Sequence, residues 1–535
     1  MREAQIKKTF ARDDAEREES LDRARLCASL TKPWILPPSG WDEGQKLPDT
    51  FSSLAARGIT NLEGRLLLAL FPPSGMPWFR LKPASKFKFN PDIDPFAVQE
   101  LADILRMQEL LILSHVDKVS GTKGSNSRRA GFRSRQRTAI SQLPITGDVL
   151  TQLNDDLTMR VFRRDNYVTR RDSAGDVLYH IIREKIDPLT LDDEQLLLCD
   201  KDPEELANKD PHERMEEMHT RAEWHPRSKL WVIEQEIMGK TLVTKEEKVT
   251  PFFSTPFELP PASSYGRGLI EQNLGDCRSM NELTERLLDH AAIASKMIFA
   301  LDYNSQVRPG DLAQPTGSVI QARVQSGQVT DVGVLKSDKI QDFQVVQLVR
   351  ESIRKDLAVT MLMEAETTPR GERVTAFQVQ RVAQELEGAL GGVYAPIADS
   401  MQIPLIERLR EVLTKKRILP SLPDDTIEIE AVTGIAALSN ESDQGKLLGL
   451  MQTIAQLGPE TMSRIDKGVL LDLLVRQSGI YEPGLVKSEE QVQQEMQEQQ
   501  QTMMAAQMGE QAVKSAGTMM EQRATMAPEE EPVNA

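Results

Sequence analysis

A mostly helical α+β fold is what this chain predicts, on three observations. Apolar residues recur at three- and four-residue steps over long stretches, which is the helical period. Between residues 158 and 256 that period gives way to β-branched and aromatic runs separated by turn signals. Aromatic residues make up only 5% of the chain while Gln, Glu and Met are plentiful, a balance that suits helices and polar tails better than one dense core. At 535 residues the chain exceeds what a single core usually holds, so two to four structural units are expected.

Taken in order, residues 2–30 read as a charged helix, and the prolines of "KPWILPPSGWDEGQKLPD" then exclude helix. Helical spacing returns from Thr50 to Phe71, stops at "FPPSGMP", and fits a second helix over 96–119. "MRVFRRDNYVTRRDSAGDVLYHIIRE" reads as a hairpin turning at "DSAGD", and "AEWHPRSKLWVIEQEIM" as another turning at "HPRS". "VTPFFSTPFELPP" is extended, its prolines marking a sheet edge.

From Tyr265 the helical period is strong. Met280, Leu283, Leu287, His290, Ala294, Met297 and Leu301 form a narrow seam. His290 reads as a packed histidine, since no other His or Cys stands at ligand spacing. Residues 302–338 look like a small β excursion, and a long helix over 339–363 follows, with Ile340, Phe343, Val346, Ile353 and Leu357 on one side. "TTPRGERV" is then a charged turn, either a solvated connection or a loop aimed at a ligand. Thr375 and Gln378 form a capping box, in which the Thr hydroxyl accepts an amide and the Gln reaches back, so a new helix starts there. Gly391, Gly392 and Pro396 should kink that helix. Further helices fit 404–418, 444–457 and 461–478. Residues 482–535, with ten acids against three basic residues, are expected to begin as helix and end in disorder.

The net charge of −16 argues against a broad grip on nucleic acid, because DNA presents a negative charge about every 1.7 Å of duplex. One segment, 119–137, runs the other way: Lys123, Arg128, Arg129, Arg133, Arg135 and Arg137 stand without an acid among them. It is either an anion-binding patch or a solvated turn and helix start. Three well-separated cysteines support neither a disulfide framework nor zinc, and point to a reducing compartment. No signal segment and no membrane span is evident, so a soluble protein is expected. Phosphate-loop, HExxH, GxSxG and dinucleotide patterns are missing. "YGRG" (265–268) lacks the spacing for a phosphate cradle. No enzymatic activity, metal or cofactor is expected.

Four blocks in one order carry a resemblance: "ARGITNLEGRLLLALFPPSGMPWFRL" (56–81), "YVTRRDSAGDVLYHIIREKI" (167–186), "SSYGRGLIEQNLGDCRSMNELTERL" (263–287) and "RGERVTAFQVQRVAQELEGALGGVYAPIADSMQIPLIERL" (370–409). Together they resemble the portal, or head-to-tail connector, proteins of short-tailed, autographivirus-type bacteriophages, from about residue 50 to about 500. The 119–137 and 187–212 segments depart from that pattern.

The resemblance implies a ring of twelve copies at one capsid vertex, assembled in the bacterial cytoplasm and kept in the virion, with double-stranded DNA passing through it during packaging and ejection. It implies a wing over 1–262, a first stem helix over 263–300, a clip over 301–339 and a second stem helix over 340–363. A tunnel loop would follow over 364–374, then a long kinked helix over 375–418, a helical crown over 419–481 and an acidic tail over 482–535. Arg370 and Arg373 would meet DNA non-specifically, with Glu364, Glu366 and Glu372 beside them and Arg354 and Lys355 higher on the stem. Arg308, Asp311, Lys336 and Asp338 would lie where the clip meets a tail adaptor and the packaging motor, the large terminase. Capsid and scaffolding proteins and internal core proteins at the crown complete the implied partners. Two other readings stay open: a helical scaffolding or coiled-coil adaptor without a channel, and a nucleic-acid-processing enzyme using the 123–137 patch.

Overall fold

The computed structural model describes residues 5–72, 78–88, 95–116, 119, 131–199, 202–294, 298–301, 340–363, 376–390, 392–423 and 426–432, and most of 303–335. The chain divides into two compact units, 1–436 and 437–535, and the second lies outside the described residues. So do the helices expected over 444–457 and 461–478, and the acidic tail.

The helix expected over 2–30 is two, α1 (Gln5–Glu16) and α2 (Glu18–Ser29), parted at Arg17. The cause is distant in sequence. The Arg17 guanidinium is buried and donates to the carbonyls of Arg164, Asp165 and Tyr167, which fixes the backbone between the helices. Next come α3 (Leu54–Leu70), β1 (Phe79–Pro83), α4 (Ser85–Lys88), α5 (Pro95–Val116) and α6 (Phe132–Thr146).

The β-rich part builds two antiparallel sheets. β2 (Asp148–Leu153) lies between β3 (Met159–Phe162) and β9 (Phe252–Pro256) in one. The other runs β4 (Tyr167–Arg171), β5 (Val177–Ile186), β6 (Glu216–His225), β7 (Leu230–Ile237) and β8 (Lys240–Glu247) in chain order. Each hairpin follows from its turn chemistry. In "DSAGD" the Asp172 carboxylate accepts from the backbone of Ala174 and Asp176, both at 2.9 Å, and Gly175 supplies a φ of +98°. Met238 and Gly239, at φ 50° and 80°, make the two-residue turn from β7 to β8. Between β5 and β6 the departing segment 187–212 holds two short helices, α7 (Asp193–Leu198) and α8 (Pro203–Ala207).

α9 (Leu269–Gln272) leads into α10 (Leu274–Ala294). The helix expected to continue to residue 300 does not. Ile298–Leu301 is β10, paired antiparallel with β13 (Val332–Leu335), so Leu301 leaves the expected seam for a sheet. β11 (Val324–Gln325) and β12 (Gln328–Val329) form a small hairpin within this excursion. α11 (Ile340–Thr360) returns beside α10, where the Phe343 ring packs on His290 at 4.8 Å. His290 is therefore half-buried in a helix-to-helix contact.

The expected single kinked helix over 375–418 is two helices, α12 (Ala376–Leu390) and α13 (Tyr394–Lys415). Gly392 takes a left-handed φ of +88°, which breaks the helix outright. Pro396 does not kink anything: it lies in the first turn of α13, where its missing N–H would have had no helical partner. Within the region expected as a helical crown from 419, residues 427–431 form β14 (Ile427–Ala431), which pairs with β1. The largest core joins α3, α5, α6, α12 and α13. A second joins α2, α3, α10 and the end of α11.

One buried group makes stability depend on pH. His180 on β5 is 1% exposed and hydrogen-bonds Thr169 Oγ1 at 3.0 Å. Burial, then the charge of Arg171, pushes its pKa down to about 3. An unfolded chain protonates His near 6.5, so between these values it binds a proton that the folded chain refuses. Stability is lost as pH falls from about 6.5 toward 3, with a slope of about 1.4 kcal/mol per pH unit for one such group. Denaturant midpoints measured from pH 7 to pH 5 should fall accordingly, and His180→Gln should flatten the trend.

Candidate functional site

The geometry converges on the two ends of the charged turn, not on a pocket of catalytic groups. α11 ends with Leu362 at φ 54°, a left-handed position usually given to glycine and costing another residue about 1–2 kcal/mol. Met363 N–H reaches back to the Ala358 carbonyl at 2.8 Å and Leu362 N–H to that of Val359 at 3.0 Å. α3 holds this strained end in place. The Asn61 amide donates to the carbonyls of Met361 (3.1 Å) and Leu362 (2.8 Å).

Gly58, one turn earlier on α3, is what lets the two helices meet. A Cβ there would fall 2.0 Å from Met361 Sδ and 2.9 Å from Met361 Cβ. The other end of the turn is fixed by the same helix. Arg65, 1% exposed, donates to Glu385 of α12 at 2.5 Å, and Val382, Leu386 and Leu390 sink into the core beside Leu62, Leu66 and Leu70. One helix thus sets where residues 364–375 depart and where they return.

Sequence reasoning passed over Gly58, Asn61 and Arg65. The only signal was a glycine inside a helical pattern, which usually destabilises unless something packs close to it. Gly58→Ala is expected to cost about 1–3 kcal/mol as an overpacked contact. Calorimetry should show the lower melting temperature.

Of the residues expected to work here, Glu364, Glu366, Arg370, Glu372, Arg373, Thr375 and Gly391 lie outside the described residues, as do Asp311, Lys336 and Asp338. Gln378 is exposed in the first turn of α12, and Arg308 is exposed in the excursion between α10 and α11. Arg354 pairs with Glu351 at 2.7 Å and holds that carboxyl below its ordinary range, while Lys355 points to solvent. In the basic segment, Lys123, Arg128 and Arg129 lie outside the described residues. Arg133 donates to the Phe71 carbonyl and Arg137 to Glu63. Burial pushes the Glu63 carboxyl up, but hydrogen bonds from Arg137 and Lys32 outweigh it and leave the acid below its usual range. Arg133 and Arg137 therefore serve structure within the chain.

α11 is apolar on two sides. Phe343, Val346, Ile353 and Leu357 form the expected stripe, with Phe343 against α10. Val345, Leu348, Val349 and Val359 are 60%, 71%, 47% and 62% exposed, and Leu288 of α10 is 56% exposed. No helix among the described residues is long and apolar enough to cross a membrane. Bare apolar side chains in this number mark a surface that another chain covers.

Known proteins resemble this chain along most of its length. The portal protein of Escherichia phage T7 is 28% identical over 498 residues, covering 89% of this chain and 87% of its own length. That of Enterobacteria phage T3 is 27% identical over 537 residues, covering 98% and 95%. A chain from the virion of a native gene transfer agent particle has 10% identity and a TM-score of 0.37, covering 79% of this chain and 89% of its own, a likeness too low to carry an argument. The family of bacteriophage head to tail connecting proteins matches residues 3–486, and the chain belongs to that family.

Proposed function

We propose that the chain is a portal protein, a ring of about twelve copies at one capsid vertex through which double-stranded DNA enters and leaves and onto which the tail is built. The observation that carries the ring is the second apolar stripe of α11, bare in the single chain and suited to packing between neighbouring copies. Within that ring, α10 and α11 serve as stem, the excursion between them, which begins with β10, as clip, and residues 364–374 as the tunnel loop. Wing, crown and tail follow the boundaries given above.

An acidic conduit suits sliding DNA. A chain of net charge −16 repels the phosphate backbone over most of its surface, while a narrow belt of Arg370 and Arg373, repeated in every copy, touches phosphates transiently. Arg354 and Lys355 are candidates for a second belt. The subunit acts as a conduit and docking ring; the packaging motor is a separate large terminase. Arg308, Asp311, Lys336 and Asp338 are candidate contacts for that motor and for the tail adaptor. Capsid, scaffolding and internal core proteins complete the assembly, which forms in the host cytoplasm.

Solution mass combined with negative-stain images of the purified chain tests the reading. Rings of about twelve copies with a central hole support it. A small rod without a hole, persisting after the phage's own scaffolding protein is added, overturns it in favour of a channel-free adaptor.

A further inference from the structure

We propose that an acidic arm at α7–α8 of one copy docks in a basic cleft between α3, α6 and the loop after α2 of its ring neighbour. This goes beyond the ring reading and rests on it.

The cleft measures about 1170 Å³. Lys32, Arg57, Arg137 and Arg163 line it against one carboxylate, Glu63, so a recess rich in cations interrupts a chain whose net charge is −16. Lys32, Arg137 and Arg163 have partners in Glu63 and Asp165. Arg57 is exposed and has no ion-pair partner among the described residues. Trp34, 63% exposed, and Met363 add apolar surface. The cleft therefore asks for an acidic ligand with an apolar tip.

The arm has that composition. Its root is stapled by Arg214 and Asp187 at 2.6 Å, and Leu196, Cys199 and Leu206 are buried beneath it. The carboxylates of Asp193, Glu194 and Glu204 face solvent with no ion-pair partner among the described residues, whereas Asp202 caps α8. Leu197 and Leu198, 79% and 52% exposed, sit among these acids. Fully exposing a leucine forgoes about 1.5–3 kcal/mol of burial, so two adjacent ones call for a cover.

Within one chain the two features are built on different supports. α7 packs on β8, the edge strand of the five-stranded sheet, while the cleft belongs to α3, α6 and the loop after α2. Two unlike patches of complementary charge on one chain are what a head-to-tail contact needs, and repeating such a contact with the right rotation closes a ring.

The test mixes two singly substituted full-length chains, Arg57→Cys and Glu194→Cys, with a short bis-maleimide. The native Cys27, Cys199 and Cys277 are buried, which keeps them from competing. With rings verified by negative stain, a cross-linked dimer band from the mixture, absent for either chain alone, is the expected result. Arg57→Glu should raise the protein concentration needed for half-maximal ring formation by about tenfold, and adding Glu194→Lys with Glu204→Lys should recover most of it. Rings that form without the band and ignore these reversals overturn the docking but leave the ring intact. A band linking Arg57→Cys to a capsid or tail protein, and not to its sister, also overturns it. If the unsubstituted chain forms no ring even with scaffold, the ring reading itself falls first.

Discussion

Gly147→Ala should leave little folded protein. Gly147 ends α6 at φ 77°, so any side chain there meets left-handed backbone strain of about 1–2 kcal/mol. The space is also closed. A Cβ would stand 2.3 Å from the Gly266 carbonyl oxygen and 2.8 Å from the Gly268 nitrogen, and these are backbone atoms that no rotamer change can move. Gly266 and Gly268 are equally crowded, their Cβ positions lying 2.4 Å from the Gly147 oxygen and 2.5 Å from that of Pro144. Three glycines thus let the α6–β2 corner lie directly on the β9–α9 connection, where Phe257 N–H also bonds to the Gly147 carbonyl at 2.9 Å. Strain and clash together place the cost above about 4 kcal/mol, the exceptional end for one substitution. Soluble yield and denaturant midpoint measure it. Gly44→Ala, where nothing lies within 4 Å, should stay within about 0.5 kcal/mol and serves as the control. A Gly147→Ala chain as stable as that control would mean this corner can open.

That junction shows where sequence reading succeeds and where it stops. "YGRG" lacks the spacing of a phosphate cradle, and spacing is a local property. What its glycines do depends on a corner about 120 residues earlier in the chain, and no local pattern reports such an approach. The hairpin at "DSAGD" was legible for the opposite reason: Asp172 and Gly175 set its turn within a few residues, whereas the turn at Met238 and Gly239 was passed over. Long amphipathic helices such as α3, α5 and α11 were legible from their period. The break at Arg17 was not, since its cause is a set of carbonyls contributed by residues 164–167. The same holds for β10 and β14, short apolar runs made into strands by partners at 332–335 and 79–83. At the candidate site, the charged turn stood out by composition, but the helix that fixes both its ends did not. Gly58 and Arg65 look like a flaw and a stray charge until α11 and α12 are seated on them.

Arg408→Ala is the second large effect, and it separates a bolt from a surface charge. Arg408 lies on α13 and is 1% exposed. Its guanidinium donates to Glu247 at the end of β8, to Asp155 at 2.8 Å, to Glu411 at 3.1 Å and to the Val249 carbonyl at 3.0 Å. One side chain therefore ties a long helix to the ends of both β sheets. Glu247 is itself 9% exposed, so truncating the arginine strands a carboxylate with little water to receive it. Removing one partner of a buried pair costs about 3–5 kcal/mol, much of it the penalty on the charge left behind. Lys415, 3.6 Å from Glu247 and 2.9 Å from Glu411, can absorb part of that penalty, which sets the expectation at the lower end of the range. Arg160→Ala, which breaks a pair with Glu184 nearer the surface, should cost no more than about 1 kcal/mol. The decisive comparison is Arg408→Met alone against Arg408→Met with Glu247→Gln. If the stranded charge is the main cost, the double substitution recovers most of the loss. If the loss persists, the guanidinium's bonds to the Val249 and Leu153 carbonyls are what hold α13 to the sheets.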